Sequence, residues 1–312
     1  MDDRTTLLSE LSESIVRALA YYDLFDHPLT SLEIYSNLPT NHITPLEIEK
    51  ELRILENRAL IFRLGDFYSL RNNPDMEIRR RAGNTLAKKY MPIAVAKANF
   101  IGQFPFVRSV MISGSLSKGY ADDQSDIDFF IITKPGRLWI ARTFLVMYKR
   151  LFLFNSHKYF CVNYFVDTEH LQIEEKNIFT ATELATLIPL YGSGYHKKLL
   201  QQNEWLHQFF PNFRSCPAPD ITPAVRGLKK VAEWILDFCF PGLLDRFFMR
   251  LTLRRWKKMY GHTFPAADFG IAFKTDRHVS KNHPKNYQRQ IVSRYEKRIQ
   301  SFHKYFAMNS LV

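Results

Sequence analysis

Two aspartates, Asp126 and Asp128, lie two residues apart where the chain enters an apolar run that is typical of a buried strand. Residues two apart on a strand project to the same face, so the two carboxylates would lie side by side while Ile127 points into the core. Adjacent carboxylates repel each other unless a cation lies between them, and Mg²⁺ prefers carboxylate and phosphate oxygens. The pair therefore predicts a metal site for Mg²⁺, with Mn²⁺ as the alternative ion.

A glycine and a serine, Gly114 and Ser115, follow an earlier apolar run at residues 107–112, which predicts another buried strand. Glycine lets a backbone amide approach a phosphate closely, and a serine hydroxyl adds a hydrogen-bond donor. Lys118, in the loop that follows, either binds a phosphate or is a solvated loop residue. A phosphate held by one segment and a metal held by the next form a phosphoryl-transfer site, where positioning and charge neutralisation supply most of the catalysis.

The stretch from Gly114 to Asp128 resembles the signature of the polymerase-β-like nucleotidyltransferase superfamily, in particular its minimal, antibiotic-type members. In that signature a strand ends in Gly-Ser, and an Asp-x-Asp pair enters the next strand after a gap; here the gap between Ser115 and Asp126 is ten residues. The resemblance covers residues 107–166 well and the flanking regions loosely. It implies an α+β fold, built on a mixed sheet with helices on one side.

The same resemblance implies two Mg²⁺ ions bound by Asp126 and Asp128, and a triphosphate held by Gly114 and Ser115. The implied reaction transfers a nucleoside monophosphate from an NTP, with ATP as our first choice, to an unidentified acceptor and releases pyrophosphate.

The third acidic residue of that family has no clear counterpart in this sequence. Asn163 occupies the centre of the strand expected at residues 159–166, and an amide is neither a base nor a strong metal ligand. Asp167 would lie on the same face of the strand as Asn163, but it is at the end of the strand. Glu169 is further along the chain. Three alternatives stay open: Asp167 is the catalytic substitute, one metal site is weakened, or the protein binds nucleotides without turning them over. An enzyme is our first hypothesis, and a catalytically impaired nucleotide-binding regulator or interaction module is the second.

Other polar residues near these strands have simpler interpretations. The pattern from Thr180 to Glu183 predicts a capping box for a helix that ends near Gly192, rather than a catalytic role for Glu183. The remaining polar candidates lack the spacing of a metal site, and we interpret them as turn residues or isolated histidines: Asp122, Asp123, His157 and His170.

The first 73 residues predict a winged-helix-like domain of three helices and a hairpin. Capping boxes at Thr30 and Thr44 begin the second and third helices, and residues 60–64 and 67–70 predict two short strands. The third helix is net acidic and therefore suits DNA phosphates poorly, so we favour a structural or protein-contacting role. We divide the chain into this domain at 1–73, a nucleotidyltransferase core at 74–180 and a helical, basic C-terminal domain at 181–312.

Positive charge is concentrated near the C-terminus. Residues 223–312 hold 18 lysines and arginines against 6 acidic residues, which accounts for the whole net charge of +12. Such asymmetry indicates either a polyanionic partner or a solvated basic face. Two apolar stripes, at residues 225–238 and 243–251, predict amphipathic helices whose apolar sides pack inside a helical domain, in preference to membrane contact. If the basic excess serves the active site, some of the following side chains should face the aspartates: Lys274, Arg277, His278 and Lys281.

Composition excludes several classes of protein. Hydrophobic residues make up 46% and charged residues 24% of the chain, as in ordinary globular proteins and unlike disordered or collagen-like chains. Three cysteines without a CxxC pair argue against a structural zinc site and a disulfide scaffold. The first ten residues lack a signal-peptide layout, and no apolar run is long enough to span a membrane. We expect a cytoplasmic protein.

Overall fold

The computed structural model describes residues 8–156, 158–215, 227–240, 242–282 and 287–309. Its N-terminal region has the three helices and hairpin that the sequence predicts. Thr30 and Thr44 form the predicted capping boxes with Glu33 and Glu47. The elements are α1 (Glu10–Asp23), α2 (Ser31–Ser36), α3 (Pro45–Asn57), β1 (Phe62–Leu64) and β2 (Phe67–Ser69). His157 and Cys216 lie outside the described residues.

A five-stranded mixed sheet forms the centre of the molecule and confirms the α+β class. Its strands are β3 (Val107–Ser113), β4 (Asp128–Thr133), β5 (Cys161–Asp167), β6 (Ile188–Tyr191) and β7 (Val279–Lys281). Their order is β6-β3-β4-β5-β7, and β4 runs parallel to β5 while the other neighbouring pairs are antiparallel.

Helices cover both faces of this sheet, so the expectation of helices on one side is wrong. The physical reason is that β4 is apolar on both faces: Phe129 and Ile131 belong to one core, and Phe130 and Ile132 to another. The first core lies against α4 (Asp75–Gly102) and α6 (Leu138–Phe152), and the second against α7 (Ile178–Ala185) and α8 (Gly194–Gln202). The remaining helices are α5 (Gly114–Ser117), a 3₁₀ helix (Glu204–Gln208), α9 (Gly227–Cys239), α10 (Leu243–Tyr260), α11 (Ala266–Ala272) and α12 (Tyr287–Asn309).

Residues 181–312 are not a separate helical unit. β6 and β7 both join the central sheet, and the helix expected to end near Gly192 ends at Ala185, before β6. The last helix, α12, packs on the N-terminal region instead, because Ile291 and Phe302 share a core with Ile15. The expected boundary at residue 181 therefore divides elements that fold together.

None of the described helices combines the length and the apolar composition that a bilayer crossing requires. Among the described cysteines, Cys161 is buried and Cys239 is exposed, and both are free thiols.

The N-terminus of α6 is capped by a residue of another helix. Asp245 of α10 is buried, and its Oδ1 accepts hydrogen bonds from the backbone N–H groups of Trp139 at 2.8 Å and Ile140 at 3.0 Å. The carboxylate satisfies donors that a helix start leaves without intrahelical partners, and it interacts favourably with the helix dipole. Asp245 thus attaches α10 to the core.

We expect Asp245→Ala to lower the free energy of unfolding by about 2 kcal/mol, because two buried N–H groups lose their acceptor. Urea denaturation followed by circular dichroism measures the change. Asp66→Ala, which removes an exposed carboxylate paired with Arg81, is the control and should change stability little. Equal effects of the two substitutions would contradict the capping role.

Candidate functional site

Gly114 lies directly against the second aspartate. The antiparallel register of β3 and β4 places Ser113 opposite Asp128, so the turn that follows β3 meets the start of β4. Gly114 has a φ of +69°, a left-handed conformation that favours glycine, and a Cβ atom built on it would lie 2.6 Å from Oδ2 of Asp128. The structure therefore brings together the glycine and the carboxylate that the sequence singled out, and the contact leaves no space for a side chain.

Asp128 is held in an environment that opposes its negative charge. Burial is the largest cause that raises the pKa of Asp128, to about 7, and the charges of Glu183 and Asp126 act in the same direction. A hydrogen bond with the Cys161 thiol and the charge of Lys118 oppose the rise. A cation bound beside Asp128 would relieve this repulsion, so the donor set suits a divalent metal.

Asn163 contacts the same carboxylate. The register of β4 and β5 shifts between Phe129 and Phe130, which pair with Val162 and Tyr164, so Asn163 is the extra residue of a bulge. Its Nδ2 lies 3.2 Å from Oδ1 of Asp128. The amide therefore lies beside Asp128, next to Cys161, which is the β5 residue in register with Asp128.

Asp126 precedes β4 and is half-buried at the end of a tight loop. Asp122 organises this loop: its Oδ1 accepts hydrogen bonds from the Ser125 hydroxyl at 2.8 Å and the Gln124 N–H at 3.1 Å. The next residue after Asp126, Ile127, donates its N–H to the Lys158 carbonyl at 2.8 Å. These bonds fix the backbone on both sides of Asp126, and the turn role predicted for Asp122 is confirmed.

Glu183, which the sequence analysis interpreted as part of a helix cap, lies in contact with the Gly114 turn. Its Oε2 accepts the Gly114 N–H at 3.3 Å, and its Oε1 accepts Lys118 Nζ at 2.8 Å; Lys118 Nζ also donates to the Gly114 carbonyl at 3.0 Å. The expected capping box at Thr180 is wrong, because α7 begins after Asn177, whose Oδ1 caps the helix. A usable signal was present, since Glu183 is the sole charged residue of α7.

Ser115 and Lys118 are both near Gly114, in the short helix α5 and at its C-terminal end. The Ser115 carbonyl accepts hydrogen bonds from the N–H groups of Lys118 and Tyr120, at 3.0 and 3.1 Å. The three residues predicted to hold phosphate, Gly114, Ser115 and Lys118, are thus gathered in one turn of chain. Lys118 is a member of the site through its ion pair with Glu183 rather than a solvated loop lysine.

Asp167 is not brought to Asp126 and Asp128. In the parallel β4–β5 register, Asp167 pairs with Thr133, five residues beyond Asp128. Five residues of strand span roughly 17 Å. The carboxylate therefore lies at the opposite end of the sheet from Asp126 and Asp128, too far to contact the same ligand. The alternation of side chains along a strand determines the face of the sheet on which a residue lies. It does not determine which end of the sheet the residue is at.

Asp167 instead lies in a cluster with two histidines. Its fully buried carboxylate accepts hydrogen bonds from His170 Nδ1 at 2.8 Å and His278 Nδ1 at 2.7 Å, and the two imidazole rings stack with centroids 3.5 Å apart. The three ligand atoms lie within 4.8 Å of one another, a set that could hold a divalent transition metal. Backbone N–H groups of Glu169 and His170 also bond to Oδ1, so the carboxylate has four donors without an ion.

The basic segment before and within β7 does not form a wall opposite the aspartates. β7 is antiparallel to β5 with Val279 opposite Val166, which places His278 at the Asp167 end of the sheet. Lys274 is paired with Glu174 at 2.6 Å, and buried Lys281 donates to Gln288 at 2.7 Å. The expectation is therefore wrong for His278, while Lys274 and Lys281 are engaged by Glu174 and Gln288.

A cavity of about 220 Å³ lies between the N-terminal region and α5. Polar side chains from both sides line it, including Tyr22, His27, Glu33, Ser117 and Lys118. Burial, with the charge of Arg80 as the next cause, lowers the pKa of His27 to about 2, so this histidine is neutral at physiological pH. Lys118 lines the cavity and also belongs to the site, so the two adjoin. The N-terminal region therefore forms a wall beside the site.

Comparisons of the chain with protein-family models, with curated proteins and with solved structures find no match. The functional argument therefore depends on the geometry of the site.

If the chain has the nucleotidyl-transfer activity that its sequence resemblance implies, we expect Gly114→Ala to reduce that activity by at least about 100-fold while the protein stays folded, because the methyl group must displace Asp128 from its present position. Gly119→Ala is a matched control: Gly119 also has a positive φ, of +69°, but no atom lies within 4 Å of its Cβ position. Activity and circular dichroism of both variants measure the effect. Similar losses in both would indicate backbone strain alone.

The Asp167 cluster predicts acid sensitivity. Burial alone would raise the pKa of Asp167, but hydrogen bonds from His278 and His170 outweigh it and hold the pKa below the usual range. The carboxylate is therefore stabilising above its unfolded-state pKa of about 3.9, and this contribution is lost as the pH falls through the folded pKa.

We expect Asp167→Asn to destabilise the protein by about 2 kcal/mol at pH 7, and by less as the pH approaches 3. Urea denaturation across this pH range measures the difference from the unmodified protein. The exposed Asp75→Asn serves as the control. A constant difference between pH 7 and pH 3 would exclude ionised Asp167 as its cause.

Proposed function

We propose that this protein is a Mg²⁺-dependent nucleotidyltransferase, which moves a nucleoside monophosphate from an NTP, such as ATP, to an acceptor and releases pyrophosphate. The observation that carries the proposal is the contact between the left-handed Gly114 turn and the Asp128 carboxylate, with Asp126 two residues away. A phosphate-binding turn and a metal-binding pair are thereby adjacent, as phosphoryl transfer requires.

Asp126 and Asp128 are the residues that would hold Mg²⁺, or Mn²⁺ in its place. The fit is supported by the geometry of the pair and by the raised pKa of Asp128, which burial causes first and the neighbouring charges of Glu183 and Asp126 increase. When bound, the ion neutralises charge on the phosphates and orients them. Every other role in the proposal belongs to side chains and backbone groups of the chain itself.

Gly114, Ser115 and Lys118 bind the triphosphate through an N–H group, a hydroxyl and an ammonium. In the nucleotide-free chain the Glu183 carboxylate occupies two of these donors, the Gly114 N–H and Lys118 Nζ. Phosphate oxygens take the same donors when the NTP binds, because both groups are anionic acceptors. Glu183 is thereby released beside the nucleotide.

Glu183, rather than Asp167, is the third carboxylate of the proposed mechanism. It takes the proton of the acceptor hydroxyl as that oxygen forms a bond to the α-phosphorus, and the bond from the α-phosphorus to the pyrophosphate oxygen breaks. Lys118 and the Gly114 N–H stabilise the negative charge on the departing pyrophosphate. The acceptor is unidentified, and the cavity between the N-terminal region and α5 adjoins this position.

A nucleotide-binding regulator without turnover is the second candidate function. The observation that favours it is Asn163, an amide in contact with Asp128 at the point where a further acid would strengthen metal binding. In either case the N-terminal region has a wall-forming role beside Lys118, and we place the protein in the cytoplasm, where NTPs and Mg²⁺ are abundant.

Turnover is tested by incubating the protein with α-³²P-labelled ATP and Mg²⁺ or Mn²⁺, over a panel of hydroxyl and amine acceptors that includes the protein itself. We expect metal-dependent transfer of the α-³²P label to an acceptor, with an equal release of pyrophosphate measured by a coupled pyrophosphatase assay, and both fall at least about 1000-fold in Asp128→Asn. Exposed Asp123→Asn in the preceding loop is the matched control. Binding of NTP without pyrophosphate release would favour the regulator, and no metal-dependent NTP binding would exclude both functions.

The two roles of Glu183 predict opposite effects on binding and on turnover. We expect Glu183→Gln to bind ATP several-fold more tightly, because the competing negative charge on Gly114 and Lys118 is removed, and to lower kcat by about 100-fold or more. Titration with a non-hydrolysable ATP analogue and steady-state kinetics measure the two effects. Exposed Glu204→Gln is the control, and a parallel loss of binding and kcat would contradict the assignment.

A further inference from the structure

The helix α9 packs on the core through its charged residues. Lys229, Glu233 and Asp237 recur every four residues and so lie on one face of the helix. Buried Lys229 donates to two backbone carbonyl oxygens at 2.6 and 2.7 Å. Glu233 accepts two hydrogen bonds from Arg108 at 2.9 Å, and Asp237 accepts one from Arg137 at 2.6 Å. The inward face of this helix is thus ionic.

The opposite face of α9 is apolar and turned to solvent. Leu228, Trp234 and Phe238 are 83%, 67% and 77% exposed, and Leu228 and Phe238 belong to the stripe that we expected inside. Further exposed apolar residues lie on α10, and we call the two sets together the apolar strip: Leu228, Val231, Trp234, Ile235, Phe238, Phe240, Leu243, Phe247 and Leu251. The expectation of inward packing is wrong for the α9 stripe, because the polar side of α9 has the partners, whereas Leu244 and Phe248 of the α10 stripe do pack against the core.

Positive charge runs beside the apolar strip on α10. Arg246, Arg250 and Arg254 are exposed and spaced by four residues, next to Phe247 and Leu251 in the sequence. The acidic residues of the two helices are all directed to the core: two pair with core arginines and the third caps α6. Within the described residues of α9 and α10, the exposed face therefore combines apolar and cationic side chains without an anionic one.

We propose that the apolar strip and its arginine row dock this protein on the surface of an anionic lipid membrane. Helices that lie in the membrane interface present Trp, Phe and Leu to the acyl chains and Arg or Lys to the headgroups, which is the composition of this face. An apolar surface of this extent is uncommon on a monomer without a partner. A second copy of the chain suits it less well, because a twofold contact would bring the arginine rows together.

Trp234 supplies a direct optical readout. The chain has four tryptophans, and the other three, Trp139, Trp205 and Trp256, are at most 7% exposed. A shift of tryptophan emission on addition of vesicles would therefore report mainly on Trp234. The readout depends on neither nucleotide nor acceptor, so it is independent of the proposed function.

The test mixes the full chain with vesicles of phosphatidylcholine alone and of phosphatidylcholine with phosphatidylglycerol, and follows sedimentation and Trp emission. We expect a blue shift and sedimentation with anionic vesicles, weakened by salt. Arg246→Gln with Arg250→Gln should weaken binding roughly 30-fold, at about 1 kcal/mol for each charge. Phe238→Ser with Leu243→Ser should weaken it at least about ten-fold.

Two control variants match these changes on other surfaces of the chain. Leu46→Ser removes a 64% exposed leucine from α3, and Lys88→Gln with Lys89→Gln neutralises two exposed lysines of α4; both should bind vesicles as the unmodified chain does. Failure to bind anionic vesicles at millimolar lipid would overturn the proposal. Vesicle binding that the Phe238 and Leu243 substitutions leave unchanged would overturn it as well. Dimerisation abolished by those same substitutions, without vesicle binding, would assign the strip to a second copy instead.

Discussion

Asp126, Asp128 and Glu183 bring three carboxylates around one glycine turn, and Lys118 forms an ion pair with Glu183. Their mutual repulsion and the burial of Asp128 work against the folded state, so rigid elements must hold the carboxylates in place. The antiparallel β3–β4 pair fixes the first two, and α7 fixes the third. Helices on both faces of the sheet hold these elements rigidly in place. The repulsion between the carboxylates would favour the binding of a cation there.

Local patterns in the sequence were sufficient for one half of the site. Gly114 directly follows β3, and Asp126 and Asp128 lie where the chain enters β4, so their spacing along the chain predicts that they meet. Glu183 is distant in sequence and reaches Gly114 only because α7 packs on a particular face of the sheet. The prediction for Asp167 was wrong for a different reason. The distance of Asp167 from Asp128 is determined by the parallel register of β5 with β4, and spacing along the chain cannot supply that register.

The direction in which an amphipathic helix faces is a second property that the pattern leaves open. The stripe of α9 is equally consistent with a buried and an exposed apolar side. Its orientation is decided by partners elsewhere in the chain, because Arg108 and Arg137 attract the acidic side. These contacts lie near Val107, at the end of β3 that is remote from Gly114. Docking through α9 and α10 would therefore leave the candidate site roughly 20 Å along the strand from the attachment point.

The packing of α12 on the N-terminal region has a consequence for synthesis of the chain. Asp23 of α1 is buried and pairs with both Arg71 and Arg298, and Ile291 and Phe302 complete the core around Ile15. More than 260 residues separate α1 from these partners in α12. While the chain is still emerging from the ribosome, the N-terminal helices thus present an unfinished apolar surface and a carboxylate with one partner missing. The N-terminal unit reaches its final stability only after translation has passed α12, and until then its apolar surface is exposed to association with other chains.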